Sequence, residues 1–211
     1  QDLWTKETRG RAGGVEPAAT AIVGGNAVLK TALVILAEGF EEVEAIAPVD
    51  VLRRAGVRVT MAGLADRRVK SSRRIGIEAD ILLRDLVEMP DAVILPGGIP
   101  GATNLACSEE TAELIKKMHG AGKIIAAICA APAAVLAPLG ILDGKKATCY
   151  PGCEADFSGK TVHSKECVVV DGNIITSQGP GTALEFALMI AARLVGQEMA
   201  DTVRGKMLIP S

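Results

Sequence analysis

The stretch TALVILAEGFEEVEAIAPVDVLRRAGVRVTMA, residues 31–62, decides the fold class. It opens on Thr31–Ala37, an unbroken apolar run, which is the pattern of a strand buried on both faces rather than one with a wet side. Residues 41–55 follow with helical spacing, in which Val43, Ile46, Val49 and Leu52 fall on one face. Gly56 supplies the stop, and Val57–Ala62 is the next strand. A strand, a helix and a strand in so short a span form a β-α-β unit, so a parallel sheet begins here. The expected architecture is a doubly wound α/β sandwich with a mainly parallel central sheet.

The rest of the chain extends that pattern. Residues 68–83 read as short strands and turns. Ala92–Leu95 is a further buried strand, stopped by Pro96-Gly97-Gly98, and a helix over about 108–120 leads into a strand at Ile124–Ile128. Residues 168–176 read as a hairpin with its turn at Asp171-Gly172. Helices over 182–195 and about 197–206 close the chain, and one α/β domain accounts for residues 30–211. Residues 1–29 differ: they are rich in Gly, Ala and Thr and lack apolar periodicity. They read as a tail, a processed leader remnant or an engineered scar, too acidic at Asp2, Glu7 and Glu16 for a transit peptide.

Composition narrows the functions. The net charge of −2 gives no reason to expect a polyanion, and the scarcity of aromatics disfavours stacking platforms for bases, so no nucleic-acid partner is expected. No apolar run reaches the roughly 20 residues of a transmembrane helix, so no membrane partner is expected. Cys107, Cys129, Cys149, Cys153 and Cys167 contain no Cys-x-x-Cys pair, and His119 and His163 are far apart. Neither a metal site nor a disulfide framework is expected. Cys149 and Cys153 are spaced to allow a redox pair, although core or surface thiols are the plainer reading. A reducing, cytoplasmic compartment fits best, with an organelle the alternative if residues 1–29 are a leader remnant.

Three strand-to-helix junctions carry chemistry. In a parallel sheet they share one edge, where open α/β sheets bind their ligands. At the first, Glu41, Glu42 and Glu44 crowd a helix start; carboxylates there favour the helix dipole, yet Glu42 and Glu44 cannot share a face. A carboxyl held in an apolar cleft keeps its proton and shuttles it; spacing alone does not say which Glu does so. At the second, Gly97 and Gly98 let the backbone approach a ligand and offer N–H groups to an oxyanion, although a plain tight turn explains them too. At the third, Cys129 follows a buried strand and precedes small residues and Pro132. Its sulfur sits beside backbone N–H groups and a helix start, which favour thiolate over thiol. A small core residue is the ordinary fate of a free cysteine, but three junctions on one edge favour a nucleophile. Neither histidine sits at a strand end, so a Cys-His hydrolase lacks its base. Arg53, Arg54, Arg73 and Arg74 are most simply solvated charges; one or more of them can gather an anion.

Five ordered motifs, namely Leu33–Glu44, Val51–Gly56, Leu95–Gly98, Ala126–Pro132 and Thr176–Thr182, together resemble the ThiJ/PfpI superfamily in its DJ-one branch, that of the Parkinsonism-associated protein deglycase. The resemblance implies a flavodoxin-like fold and a homodimer formed through the first helix. It assigns the nucleophile to Cys129, the partner carboxyl to Glu44, and the oxyanion donors to the N–H groups of Gly98 and Ala130. Arg73, with Arg54 of the partner subunit, would line an anion site, and Gly97 and Tyr150 complete the substrate-side set. The implied activity is a glyoxalase or deglycase reaction on methylglyoxal-type dicarbonyls or early glycation adducts, with no cofactor and no metal. The alternative is a non-enzymatic redox sensor or chaperone that uses oxidation of Cys129 to sulfinic acid. The chain departs from the pattern at Tyr150, where many members carry histidine, and at Gln178, where an arginine is common. Ala130, not histidine, follows Cys129, which separates the chain from the peptidase branch.

Overall fold

The computed structural model describes residues 29–210; the segment read as a tail or leader therefore lies outside the described residues, except for Leu29. The strands are β1 (Thr31–Leu36), β2 (Arg58–Gly63), β3 (Arg68–Lys70), β4 (Gly76–Glu78), β5 (Ile81–Leu82), β6 (Ala92–Leu95), β7 (Ile124–Ile128), β8 (Lys146–Ala147), β9 (Val162–His163), β10 (Val168–Asp171) and β11 (Ile174–Ser177). The helices are α1 (Glu42–Arg54), α2 (Gly101–Ala106), α3 (Glu109–Gly120), α4 (Ala183–Val195) and α5 (Gln197–Lys206). The central sheet runs β10-β11-β7-β6-β1-β2-β5, and only the edge strand β10 is antiparallel to its neighbour.

The unbroken apolar runs have the structure their patterning requires. Successive residues of β1 point to opposite faces, so Ala32, Val34 and Leu36 enter one core while Leu33 and Ile35 enter the other. In β6 and β7 the same alternation separates Ile94, Ala126 and Ile128 from Val93, Leu95, Ile125 and Ala127. α1 and α4 cover the first face with Ala45, Val49, Leu52, Phe186 and Ile190. Leu105 of α2, Ile115 and Met118 of α3, and Val135 and Leu136 cover the second. The result is a three-layer flavodoxin-like sandwich.

Two expectations need correction, and one element went unread. The apolar stripe read along α1 is half wrong: Val49 and Leu52 are buried with Ala45, Pro48 and Val51, whereas Val43 and Ile46 are 47% and 37% exposed. Helical spacing alone does not say which flank of a broad apolar face meets the sheet. The helix expected after Cys129 is a single π-helical turn, Pro132–Leu136, a wide turn that recurs at functional sites. Finally, α2 was invisible to periodicity because six residues, GATNLA, carry less than two turns of pattern.

Candidate active site

β11, β7, β6 and β1 are consecutive in the sheet and parallel, so their carboxyl ends lie side by side. The junction after each contributes to one cluster.

The first junction sorts its three carboxylates. Glu41 caps α1, accepting the Glu44 N–H at 2.8 Å. Glu42 turns outward and accepts a hydrogen bond from Ser72 Oγ at 3.2 Å. Glu44 alone is fully buried, and its Oε2 accepts the Gly97 N–H at 2.8 Å. Its Oε1 is buried and has no geometrically complete hydrogen bond, but the carboxyl and the Cys129 thiol lie close enough for each to perturb the other's proton.

The second junction brings the backbone against both. A Cβ on Gly97 would fall 2.6 Å from Cys129 Cβ, 2.9 Å from Glu44 Oε2 and 3.0 Å from the sulfur. No other residue type leaves room for the carboxyl and the thiol to meet there. Gly98 adopts φ +87°, a left-handed conformation that glycine takes without strain. A Cβ there would meet the backbone of Gly39, Phe40 and Glu41 at 2.6–2.8 Å. The two loops are thereby locked together, with the Glu41 N–H donating to the Gly97 carbonyl at 2.9 Å.

At the third junction Cys129 has φ +65°, a conformation that costs a non-glycine residue on the order of 1–3 kcal/mol. The backbone is pinned on both sides: its N–H donates to the Ser177 carbonyl at 2.9 Å, and its carbonyl accepts the Tyr150 N–H at 2.8 Å. The sharp reversal leaves the sulfur half-buried and within reach of the Gly98 and Ala130 N–H groups, both of which lower the thiol's pKa.

The electrostatics correct one expectation. Burial first, with repulsion from Glu41 adding, pushes Glu44 from 4.5 up to about 7, against the hydrogen bonds donated by the Gly97 N–H and the Cys129 thiol. Burial first, then the charge and hydrogen bonding of Glu44, pushes the Cys129 thiol up to about 12. A thiolate is therefore not favoured beside an ionised Glu44, contrary to the reading from helix start and backbone N–H groups alone. Near neutral pH the thiol keeps its proton while Glu44 is close to the midpoint of its titration, so the sulfur becomes anionic only by passing its proton to an ionised Glu44.

Tyr150 lies at the mouth. Its ring is half exposed and packs on Gly179, where a Cβ would fall 3.3 Å from Cδ2. Arg73 is exposed and near enough to act on Glu41. Arg54 is not brought to the cluster within this chain; it lies at the far end of α1, its Nε 2.9 Å from Asp50 Oδ2. His163 is the last residue of β9, so the expectation that neither histidine sits at a strand end fails there, but this strand lies outside the central sheet and its end is not at the cluster. A cleft of about 350 Å³ opens at the amino-terminal edge of the sheet beside Thr31, Arg58 and Leu86 and touches none of these groups.

Sequence reasoning missed two features. In sequence Ser177 stands only as part of the Thr176–Thr182 motif, and nothing in that motif signals that its carbonyl holds the Cys129 N–H. Cys149, Glu154 and His163, dispersed in sequence, are brought together because β8 pairs with β9.

The chain is similar in sequence and fold to known proteins. The family model described as DJ-1/PfpI family matches residues 30–193. The Parkinson disease protein 7 homolog of Danio rerio is 45% identical over 185 residues, covering 85% of this chain and 97% of that protein. The glutathione-independent glyoxalase DJR-1.2 of Caenorhabditis elegans is 38% identical over 180 residues, covering 84% and 95%. The crystal structure of Drosophila melanogaster DJ-1beta superposes with a TM-score of 0.82 at 43% identity, covering 87% of this chain and all of that one. On sequence and fold, this chain belongs to the DJ-1/PfpI family.

Proposed function

We propose that this chain is a cofactor-independent glyoxalase and deglycase acting on methylglyoxal-type dicarbonyls and early glycation adducts. The observation that carries the proposal is the fully buried Glu44 carboxyl set against the Cys129 thiol around Gly97, with no histidine in the cluster. Moving the thiol proton to Glu44 makes the thiolate without an external base.

The sulfur attacks the aldehyde carbon, and the carbonyl electron pair moves onto oxygen, which the Gly98 and Ala130 N–H groups stabilise. Glu44 protonates that oxygen to complete a hemithioacetal. The resulting carboxylate takes the hydrogen from the former aldehyde carbon as a proton and returns it to the neighbouring ketone carbon, while the hydroxyl proton passes from the oxygen on the sulfur-bearing carbon to the neighbouring oxygen. The product is a 2-hydroxy thioester. Water then cleaves the C–S bond, giving the 2-hydroxy acid and the free thiol. One carbon is oxidised and its neighbour reduced, so no outside electron acceptor is needed. Deglycation shares the first step, with an amine or thiol leaving. Cys129→Ala and Glu44→Gln, assayed for methylglyoxal loss and 2-hydroxy acid formation, test the scheme; turnover unchanged in Cys129→Ala rules it out.

The family's first-helix homodimer suits the surface of α1, which leaves Val43 and Ile46 exposed. In such a pair Arg54 of the partner subunit and Arg73 would line the mouth as anion-gathering groups, with Tyr150 at the rim. A second reading, a redox sensor, is favoured by Glu44 Oε1, a buried oxygen without a complete hydrogen bond. Protonated, it donates to a sulfinate on Cys129 and halts oxidation at that stage. Mass spectrometry after mild peroxide checks this: two oxygens added selectively at Cys129 support it, and oxidation scattered over all five cysteines refutes it.

A further inference from the structure

We propose that Cys149, Glu154 and His163 form a binding site for a zinc-class divalent cation behind the Cys129 loop, independent of the carbonyl chemistry. One donor atom from each lies within 4.8 Å of the other two. Thiolate sulfur, imidazole nitrogen and carboxylate oxygen are the donor set of Zn²⁺ and its neighbours rather than of Mg²⁺ or Ca²⁺. A thiolate and a carboxylate together cancel the ion's double charge. Three protein ligands leave a fourth position for water or a further donor.

The fold builds the site from separate pieces. The parallel pairing of β8 with β9 sets Ala147 beside His163, and the Ser164 N–H donates to the Ala147 carbonyl at 2.8 Å. Cys149 follows two residues after that register point and is 1% exposed. Gly152, at φ +97°, reverses the chain into the 3₁₀ turn Cys153–Asp156 that carries Glu154. Outer contacts already orient two of the ligands, as metal sites require. The Gly152 N–H donates to Glu154 Oε2 at 2.6 Å. The Phe157 ring meets the His163 ring edge-on, with centroids 6.0 Å apart. Bonds of about 2.0–2.3 Å to a tetrahedral ion place its ligand atoms nearer than 4.8 Å, and the exposed side chains of Glu154 and His163 have the freedom to close that gap.

The carbonyl reaction makes no use of these groups. The site also bears on Cys129, because Tyr150 follows Cys149 directly and its N–H holds the Cys129 carbonyl. A cation on Cys149 therefore braces the segment that fixes the strained cysteine.

The test is titration of Co²⁺ into the reduced, metal-free full chain. One equivalent is expected to produce thiolate charge-transfer absorption in the near ultraviolet and four-coordinate visible bands, displaced by Zn²⁺, with a rise of several degrees in Tm. Cys149→Ser and His163→Ala are each expected to weaken binding by more than about 100-fold, beyond what loss of an outer contact costs, whereas Cys129→Ala retains it. His163 is exposed, so its variant tests ligation even if Cys149→Ser folds poorly. Absence of the charge-transfer band overturns the proposal. So does a band that survives His163→Ala and disappears in Cys129→Ala.

Discussion

Glu44→Gln isolates the energetic cost of the buried carboxyl. The Glu44 side chain is fully buried and its pKa is raised from 4.5 to about 7, with burial the leading cause. The folded state thus holds this proton more tightly than the unfolded chain. The favourable contribution is fully present below pH 4.5, declines as pH rises, and is gone above about pH 7. At about 1.4 kcal/mol per pH unit, the interval from 4.5 to about 7 amounts to about 3 kcal/mol. Glutamine keeps an oxygen for the Gly97 N–H but does not titrate. Urea unfolding of both proteins from pH 5 to pH 8 reads the effect, at one protein concentration because assembly shifts apparent stability. Cys129 stays out of this window, because its thiol rises from 9 to about 12. The variant is expected to gain about 2.5 kcal/mol on the parent between those two pH values. A difference that stays flat from pH 5 to pH 8 refutes the reasoning, since the carboxyl would then titrate as it does in water.

Two further substitutions probe the cluster and the α1 face. Gly97→Ala places a methyl 2.6 Å from Cys129 Cβ and 2.9 Å from Glu44 Oε2, and is expected to cost about 1–3 kcal/mol in urea unfolding and to separate thiol from carboxyl, with methylglyoxal turnover falling at least tenfold; full turnover would mean the two groups need not touch. Val43→Asp with Ile46→Asp puts charge on exposed positions of α1 and is expected to leave a folded monomer by light scattering, whereas an unchanged dimer places the interface elsewhere.

The sheet was legible because β1, β6 and β7 are buried on both sides and their residues are correspondingly apolar without interruption. Cys129, Gly97 and the glutamate cluster were legible as junctions for the same reason, since strand ends are visible where apolar runs stop. The choice among Glu41, Glu42 and Glu44 was not legible from spacing. It depends on which face of α1 meets the sheet, and the apolar residues flank both sides, as Val43 and Ile46 against Val49 and Leu52 make plain. The positive φ of Cys129 was hidden as well, because it is imposed by Ser177 and Tyr150, which are distant in sequence. The grouping of Cys149, Glu154 and His163 depends on a two-residue strand pairing, too short to leave a periodic signal.

The protonation balance of the Glu44–Cys129 pair constrains what the site accepts. A cysteine paired with histidine is neutral before the proton moves and zwitterionic after. A cysteine paired with a carboxyl carries one negative charge in either tautomer, so shifting the proton relocates charge without creating it. Which tautomer prevails is set by N–H groups on opposite sides: Gly97 donates to the carboxylate, while Gly98 and Ala130 favour the charge on sulfur. These donors are fixed backbone and need no reorganisation as the charge moves onward to a carbonyl oxygen. The resident charge, with Glu41 close by, repels an anionic substrate at short range. A small neutral dicarbonyl incurs no such penalty, so this charge balance is compatible with the substrate class that the proposed carbonyl chemistry requires.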